Sequence, residues 1–200
     1  MRNGIDVSYV QGEQGFNFEL ARAQGYDFCI VRIGVTYRGV PELDEYFINN
    51  INAAKAAGMD LGIYYYSTAL TGAEAWQEAR WLLDMMDTYL NGVELKAGIW
   101  YDVETEAQKR LGNQELASVV MEFMNTMNGA GKYVGLYGYY DMLTNHLDTA
   151  MLPDYIPLWP ANYANTNYYK QENPERNCPI WQYSDSGNIG GIDVDLDVMY

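Results

Sequence analysis

AGIWYDVE, residues 97–104, is a short apolar run ending in two acids, and its reading decides the fold. Its length and its Ile, Trp, Tyr and Val content fit a buried strand, whereas a helix would need a longer periodic stretch. Side chains two apart on a strand face the same way, so Trp100, Asp102 and Glu104 share one face and Tyr101 and Val103 the other. Upstream, Thr71 and Glu74 are spaced as a capping box ahead of AWQEARWLLDMMDTYL, whose apolar residues form a helical stripe. Downstream, NQELASVVMEFMNTMN repeats the helical pattern, stops near Gly129 or Gly131, and gives way to the strand-like YVGLYGYY. Such alternation of helix and strand builds a parallel sheet covered by helices.

The same pattern extends in both directions. GIDVSYV, FCIVRIGVT and LGIYYYST read as strands before this segment, and IPLWPANY, CPIWQYS and VDLDVMY after it, which makes eight with AGIWYDVE and YVGLYGYY. Eight strands are the number that closes a small barrel. FNFELARAQG, capped by Gly25, and PELDEYFINNINAAKAAG, stopped at Gly58, are the helices between the early strands. DMLTNHLDTAM carries a weaker helical pattern. The last three strands are joined by ANTNYYKQENPERN and SDSGNIGG, neither of which reads as helix. The second linker is too short for a crossover, so the final two strands should pair as an antiparallel hairpin. The expected fold is α/β, an irregular TIM-like β/α barrel of five βα units followed by three β-strands, in a single domain over residues 1–200.

Composition narrows the function. Apolar residues make up 48% of the chain and charged ones 20%, enough to bury a large core. Twelve basic residues stand against 27 acidic, a net charge of -15, so attraction to nucleic acid or anionic lipid is not expected. Nineteen tyrosines and five tryptophans offer amphipathic faces for sugar rings, although core packing alone would use many of them. Cys29 and Cys178 lie in or beside apolar runs and read as buried free thiols. No stretch is long and apolar enough for membrane insertion, and MRNGIDVSYV lacks the basic start and apolar centre of a signal peptide.

Residues near the C-terminal ends of barrel strands face the mouth where ligands bind. Asp102 and Glu104 converge there, and crowding favours the neutral form of one carboxyl, as a general acid requires. A solvated edge pair is the bland alternative. Asp6 repeats the arrangement on the first strand, with Ile5 and Val7 on the opposite face. Asp193, Asp195 and Asp197 share one face of the last strand, which barrel closure sets beside the first. Their spacing lacks the glycine of a calcium loop, so no metal is expected, and no cofactor either. His146 is the only histidine and there is no G-x-S-x-G elbow, which leaves hydrolytic triads and His-ligated zinc without their parts.

With the acids placed, the chain resembles glycoside hydrolase family 25, the Chalaropsis-type lysozymes, over essentially its whole length. GIDVSYVQG, FCIVRIG, GIYYYS, the D-V-E of IWYDVET, PLWPANY, PIWQYSDSG and VDLDVMY carry the likeness. The resemblance implies an N-acetylmuramidase, with no cofactor, acting on the glycan strands of peptidoglycan in the cell wall, extracellular or phage-released. It implies Glu104 as the acid, Asp102 as its partner, and Asp6 and Asp195 as supporting carboxylates. Asp193 and Asp197 do not correspond, and Asp197 stands where the family often has Asn. Tyr64, Tyr66, Tyr137, Trp159 and Gln182 would line the sugar groove. Arg32 also matches a family position, yet an arginine inside a barrel strand is more economically the partner of buried carboxylates. Pro160, inside a strand motif, removes a backbone donor.

Same-face neighbours on a strand stand ~6.6–6.8 Å apart at Cα, between the spacings of retaining and inverting glycosidases, so spacing does not assign stereochemistry. A route in which the substrate's own acetamido oxygen attacks is open as well. A chitinase-like N-acetylhexosamine hydrolase and a noncatalytic carbohydrate-binding barrel are the competing readings.

Overall fold

The computed structural model describes residues 1–200. The chain runs β1 (Arg2–Val7), α1 (Tyr9–Glu13), α2 (Phe18–Ala23), β2 (Tyr26–Tyr37), β3 (Val40–Leu43), α3 (Phe47–Ala56), β4 (Asp60–Tyr66), α4 (Gly72–Tyr89) and β5 (Gly98–Asp102). It continues with α5 (Glu106–Lys109), α6 (Asn113–Gly129), β6 (Gly135–Tyr139), β7 (Leu158–Ala161), α7 (Tyr168–Glu172), β8 (Ile180–Ile189) and β9 (Ile192–Met199). The sheet order β1-β9-β8-β7-β6-β5-β4-β2 closes through a β1–β2 pairing, and β3 hangs on β2 outside the ring. The result is an eight-stranded α/β barrel, as the strand count implied. Within the ring all neighbours pair in parallel except β9, which runs against both β1 and β8, and outside it β3 is antiparallel to β2. The expected β8–β9 hairpin is present, turning at Gly190 and Gly191.

Strand alternation divides the core in two. Outward residues such as Ile5, Val31, Ile63, Tyr101 and Leu136 pack with Leu82 and Phe123 of the covering helices in one large cluster. Inward residues Phe28, Ile30, Trp100, Tyr137, Trp159 and Ile180 form a smaller plug inside the ring. The plug fits because glycines yield space: a Cβ at Gly4 would fall on the Phe28 ring, and one at Gly135 on the Trp100 indole. On the outer side of β5, the buried carboxylate of Glu78 accepts from Thr36 Oγ1 at 2.6 Å, Ser67 Oγ at 2.7 Å and Tyr101 OH at 2.6 Å. It joins α4 to three strand ends beneath the barrel mouth. No helix is long and apolar enough to cross a membrane.

Several local expectations are corrected. The first strand stops at Val7, because Ser8 caps α1 in a box with Gln11. The helix expected from Pro41 begins only at Phe47, since Pro41–Leu43 belong to β3 and Asp44 accepts from the Tyr46 N–H at 2.9 Å. The linker read as helix-free holds α7, which Asn167 caps by accepting from the Lys170 N–H. SDSGNIGG is mostly strand, with β8 running to Ile189. DMLTNHLDTAM forms a π-helical turn, Met142–His146, and a 3-10 turn, Thr149–Met151. Pro160 has no N–H for the ladder, and the β7–β8 pairing beside it is reduced to Ala161↔Gln182. Both cysteines are free and buried, as read.

Candidate active site

Along each strand the inward side chains change from apolar at the base to polar at the mouth. Phe28 and Ile30 lead to Arg32, Trp100 to Asp102, and Ile180 to Gln182. The polar ends meet in one pocket of about 460 Å³ lined by Asp6, Arg32, Tyr64, Tyr66, Asp102, Glu104, Tyr137, Tyr139, Trp159, Gln182 and Asp195. All nine residues nominated from the sequence line it. Barrel closure sets Asp6 directly opposite Asp195 in the β1–β9 register.

Glu104 lies two residues beyond the end of β5, yet its side chain still reaches the pocket. The backbone there is pinned by Gln108, whose Oε1 accepts from the Glu104 N–H at 3.2 Å and the Thr105 N–H at 2.9 Å. Gln108 is fully buried, and its Nε2 reaches the Ala69 carbonyl at 3.3 Å. The T-x-x-Q spacing of Thr105 and Gln108 is a capping-box signal that would have found this anchor.

Burial raises the pKa of the acids. Glu104 is pushed up to about 7, first by burial and then by the Asp195 charge, while Tyr66, Lys109 and Arg32 oppose the rise. Asp102, 4% exposed, is raised by burial and by the Glu104 charge, with Arg32 opposing. The pair thus favours holding a proton, and burial contributes more to this than the crowding read from the sequence. Asp102 Oδ1 is buried without a hydrogen-bond donor. Asp195 is pushed up to about 6 by burial and by Asp185.

Arg32 is the only cation lining the pocket. Its Nε pairs with the buried Asp44 at 2.7 Å, and none of the four pocket acids forms a salt bridge. It is the partner of a buried carboxylate, as read, and also a wall of the site. Tyr139 was overlooked although it shares a strand face with Tyr137, so alternation alone would have nominated it. Asp197, set aside in the sequence, is fully buried directly behind the pocket and accepts from Trp159 Nε1 at 2.9 Å.

The family model described as Glycosyl hydrolases family 25 matches residues 5–192. The chain belongs to this family. Among family 25 relatives, it is 26% identical over 197 residues to an autolytic lysozyme of Clostridium acetobutylicum, covering 98% of this chain and 54% of the relative. The modular autolysin LytC of Streptococcus pneumoniae superposes with a TM-score of 0.83 at 26% identity, over 100% of this chain and 46% of LytC. The chain therefore spans about half the length of these two relatives. A muramidase from Trichobolus zukalii shares the fold, with a TM-score of 0.73 at 20% identity over 100% of this chain and 94% of that one.

Proposed function

We propose that this family 25 chain is a peptidoglycan hydrolase that cleaves the β-1,4 bond between N-acetylmuramic acid and N-acetylglucosamine. The observation that carries the proposal is Glu104, a pocket carboxyl poised at about 7 beside the buried Asp102. A general acid works best when its pKa lies near the working pH. Glu104 gives its proton to the glycosidic oxygen as the bond from the anomeric carbon breaks, so the leaving sugar departs as an alcohol.

The unpartnered Asp102 Oδ1 supports a role for Asp102 at the acetamido group, since an amide N–H is the donor it lacks. Accepting from that N–H strengthens the acetamido oxygen as a nucleophile toward the anomeric carbon. Water then opens the cyclic intermediate, and Glu104, now ionised, takes the water's proton. Asp6 and Asp195 add negative potential that favours the positive charge developing on the sugar. Tyr64, Tyr66, Tyr137, Tyr139 and Trp159 offer ring faces and hydroxyls to the sugars, and Gln182 an amide. The site acts on the wall from outside the cell or after release with a phage.

Relatives support the substrate class: LytC has been solved with a synthetic peptidoglycan ligand. Glu104→Gln keeps the shape of the site and removes the transferable proton. It should lower turnover of purified cell walls by ~10² to 10⁴-fold, and near-native turnover would exclude Glu104 as the acid.

A further inference from the structure

Glu104 lies beyond the last residue that the barrel ladder holds. The Val103 N–H still donates to the Tyr137 carbonyl of β6 at 3.2 Å, but the next two N–H groups, of Glu104 and Thr105, have no strand to pair with. Both donate instead to Gln108 Oε1, at 3.2 and 2.9 Å, and the Thr105 hydroxyl donates to the same oxygen at 2.9 Å. Gln108 is 0% exposed, so water does not compete for its amide.

The other end of that amide faces acceptors only. Nε2 lies 3.3 Å from the Ala69 carbonyl oxygen and 3.4 Å from both the carbonyl oxygen and Oγ of Ser67, in the turn after β4. Turned over, the amide would set Nε2 against three donors and Oε1 against carbonyl oxygens, so one orientation is allowed. Ser67 is fully buried, its hydroxyl donates to Glu78 Oε2 at 2.7 Å, and its N–H donates to the Asp102 carbonyl at 2.9 Å. The backbones of both acids are therefore tied to one residue at the end of β4, Asp102 directly and Glu104 through Gln108. A capping box alone would only start the four-residue α5, but this one also takes the N–H of the residue before the cap and reaches across to β4.

We propose that, with Glu104 read as the general acid, Gln108 is its positioning residue, setting where the Glu104 carboxyl stands relative to Asp102. Gln108 lines no part of the pocket, so its effect passes through the backbone it holds. A shift of the acid by ~1 Å can cost ~10²-fold in turnover, while the aromatic walls that hold the sugars stay in place. The loss should therefore fall on kcat and leave KM nearly unchanged.

Gln108→Met keeps an unbranched side chain of similar length and removes both acceptor and donor. Gln108→Glu keeps an acceptor but sets an oxygen against the Ala69 carbonyl. Amide exchange in the full chain, read by NMR, tests the hold itself. In Gln108→Met the Glu104 and Thr105 amides should exchange at least tenfold faster than in wild type, with the β5 amides unchanged. Wild-type rates at both positions would overturn the proposal, and this arm needs no activity. On purified cell walls, below the melting temperature of every variant, Gln108→Met should lose more than about tenfold in kcat at a KM within about twofold. Gln108→Glu should lose less. Leu82→Ala, a destabilising cavity in the outer cluster, should keep wild-type kcat. Losses in both Gln108 variants no larger than in Leu82→Ala, or losses carried by KM, would make Gln108 a structural residue only and overturn the proposal. If Gln108→Met does not fold, Gln108→Glu against Leu82→Ala decides in the same way. A wild type inactive on every wall tested would sink the acid reading, leaving the exchange rates to judge whether Gln108 holds that backbone.

Discussion

Replacing Glu104 by Gln should make the protein more stable above neutral pH even as it removes catalysis. The Glu104 carboxyl sits at about 7 in the folded chain against an ordinary 4.5, so the native state binds the proton more tightly than the unfolded state does. Between those values stability falls as pH rises, because the unfolded chain releases the proton there while the folded protein still holds it. Above about 7 the loss is complete and stays constant. At ~1.36 kcal/mol per pH unit, the interval amounts to up to about 3 kcal/mol. Gln does not titrate and escapes this loss, and without the Glu104 charge Asp102 is also relieved. For a chain of this size 1 kcal/mol moves Tm by roughly 2–4 °C, so Glu104→Gln should melt ~6–12 °C higher at alkaline pH. At acid pH, where both carboxyls are protonated, the two proteins should melt together. Circular-dichroism melting across the acid-to-alkaline range reads both limits. Equal melting temperatures at alkaline pH, or a less stable variant there, would refute the account of Glu104 as an acid held against its charge.

Two other perturbations probe the supports of the site. Glu78→Ala removes the acceptor of three buried hydroxyls and of the Thr68 N–H, leaving the hydroxyls only the Thr36–Tyr65 and Ser67–Tyr101 bonds, and should cost about 3 kcal/mol in denaturant unfolding, with Glu78→Gln intermediate. Arg32→Gln removes the cation that lowers both Asp102 and Glu104, so both carboxyls should rise and the acid should stay protonated to higher pH. The alkaline limb of the pH–rate profile should move upward, measured below a melting temperature reduced by the loss of the Arg32–Asp44 pair.

Much of this was legible because a strand has a period of two. That single rule put Trp100 and Asp102 inside the barrel, Tyr101 and Val103 under the helices, and Asp6 on the strand face that meets Asp193, Asp195 and Asp197; the family resemblance singled out Asp195, which the register sets opposite Asp6. The same alternation sets Tyr139 beside Tyr137 on the inward face of β6. Other features depend on contacts between residues distant in sequence. Asp197 reads as one more acid in a D-x-D-x-D run until the fold sets Trp159, 38 residues away, and Asp6 against it. Arg32 can be assigned to a buried carboxylate from its strand setting, but only the fold identifies that carboxylate as Asp44. The short helices α1 and α7 and the added strand β3 were missed because each is too brief to show a period, and capping side chains rather than apolar stripes start both helices.

The central claim is that Glu104 protonates the bond that leaves muramic acid at the new end. Digestion of purified, reducing-end-blocked peptidoglycan, followed by borohydride reduction and sugar analysis, tests activity and bond choice together. Wild type should generate reduced muramic acid as the new terminus, and Glu104→Gln should generate almost none. New glucosamine termini, or muramic acid termini released equally by both proteins, would contradict the account.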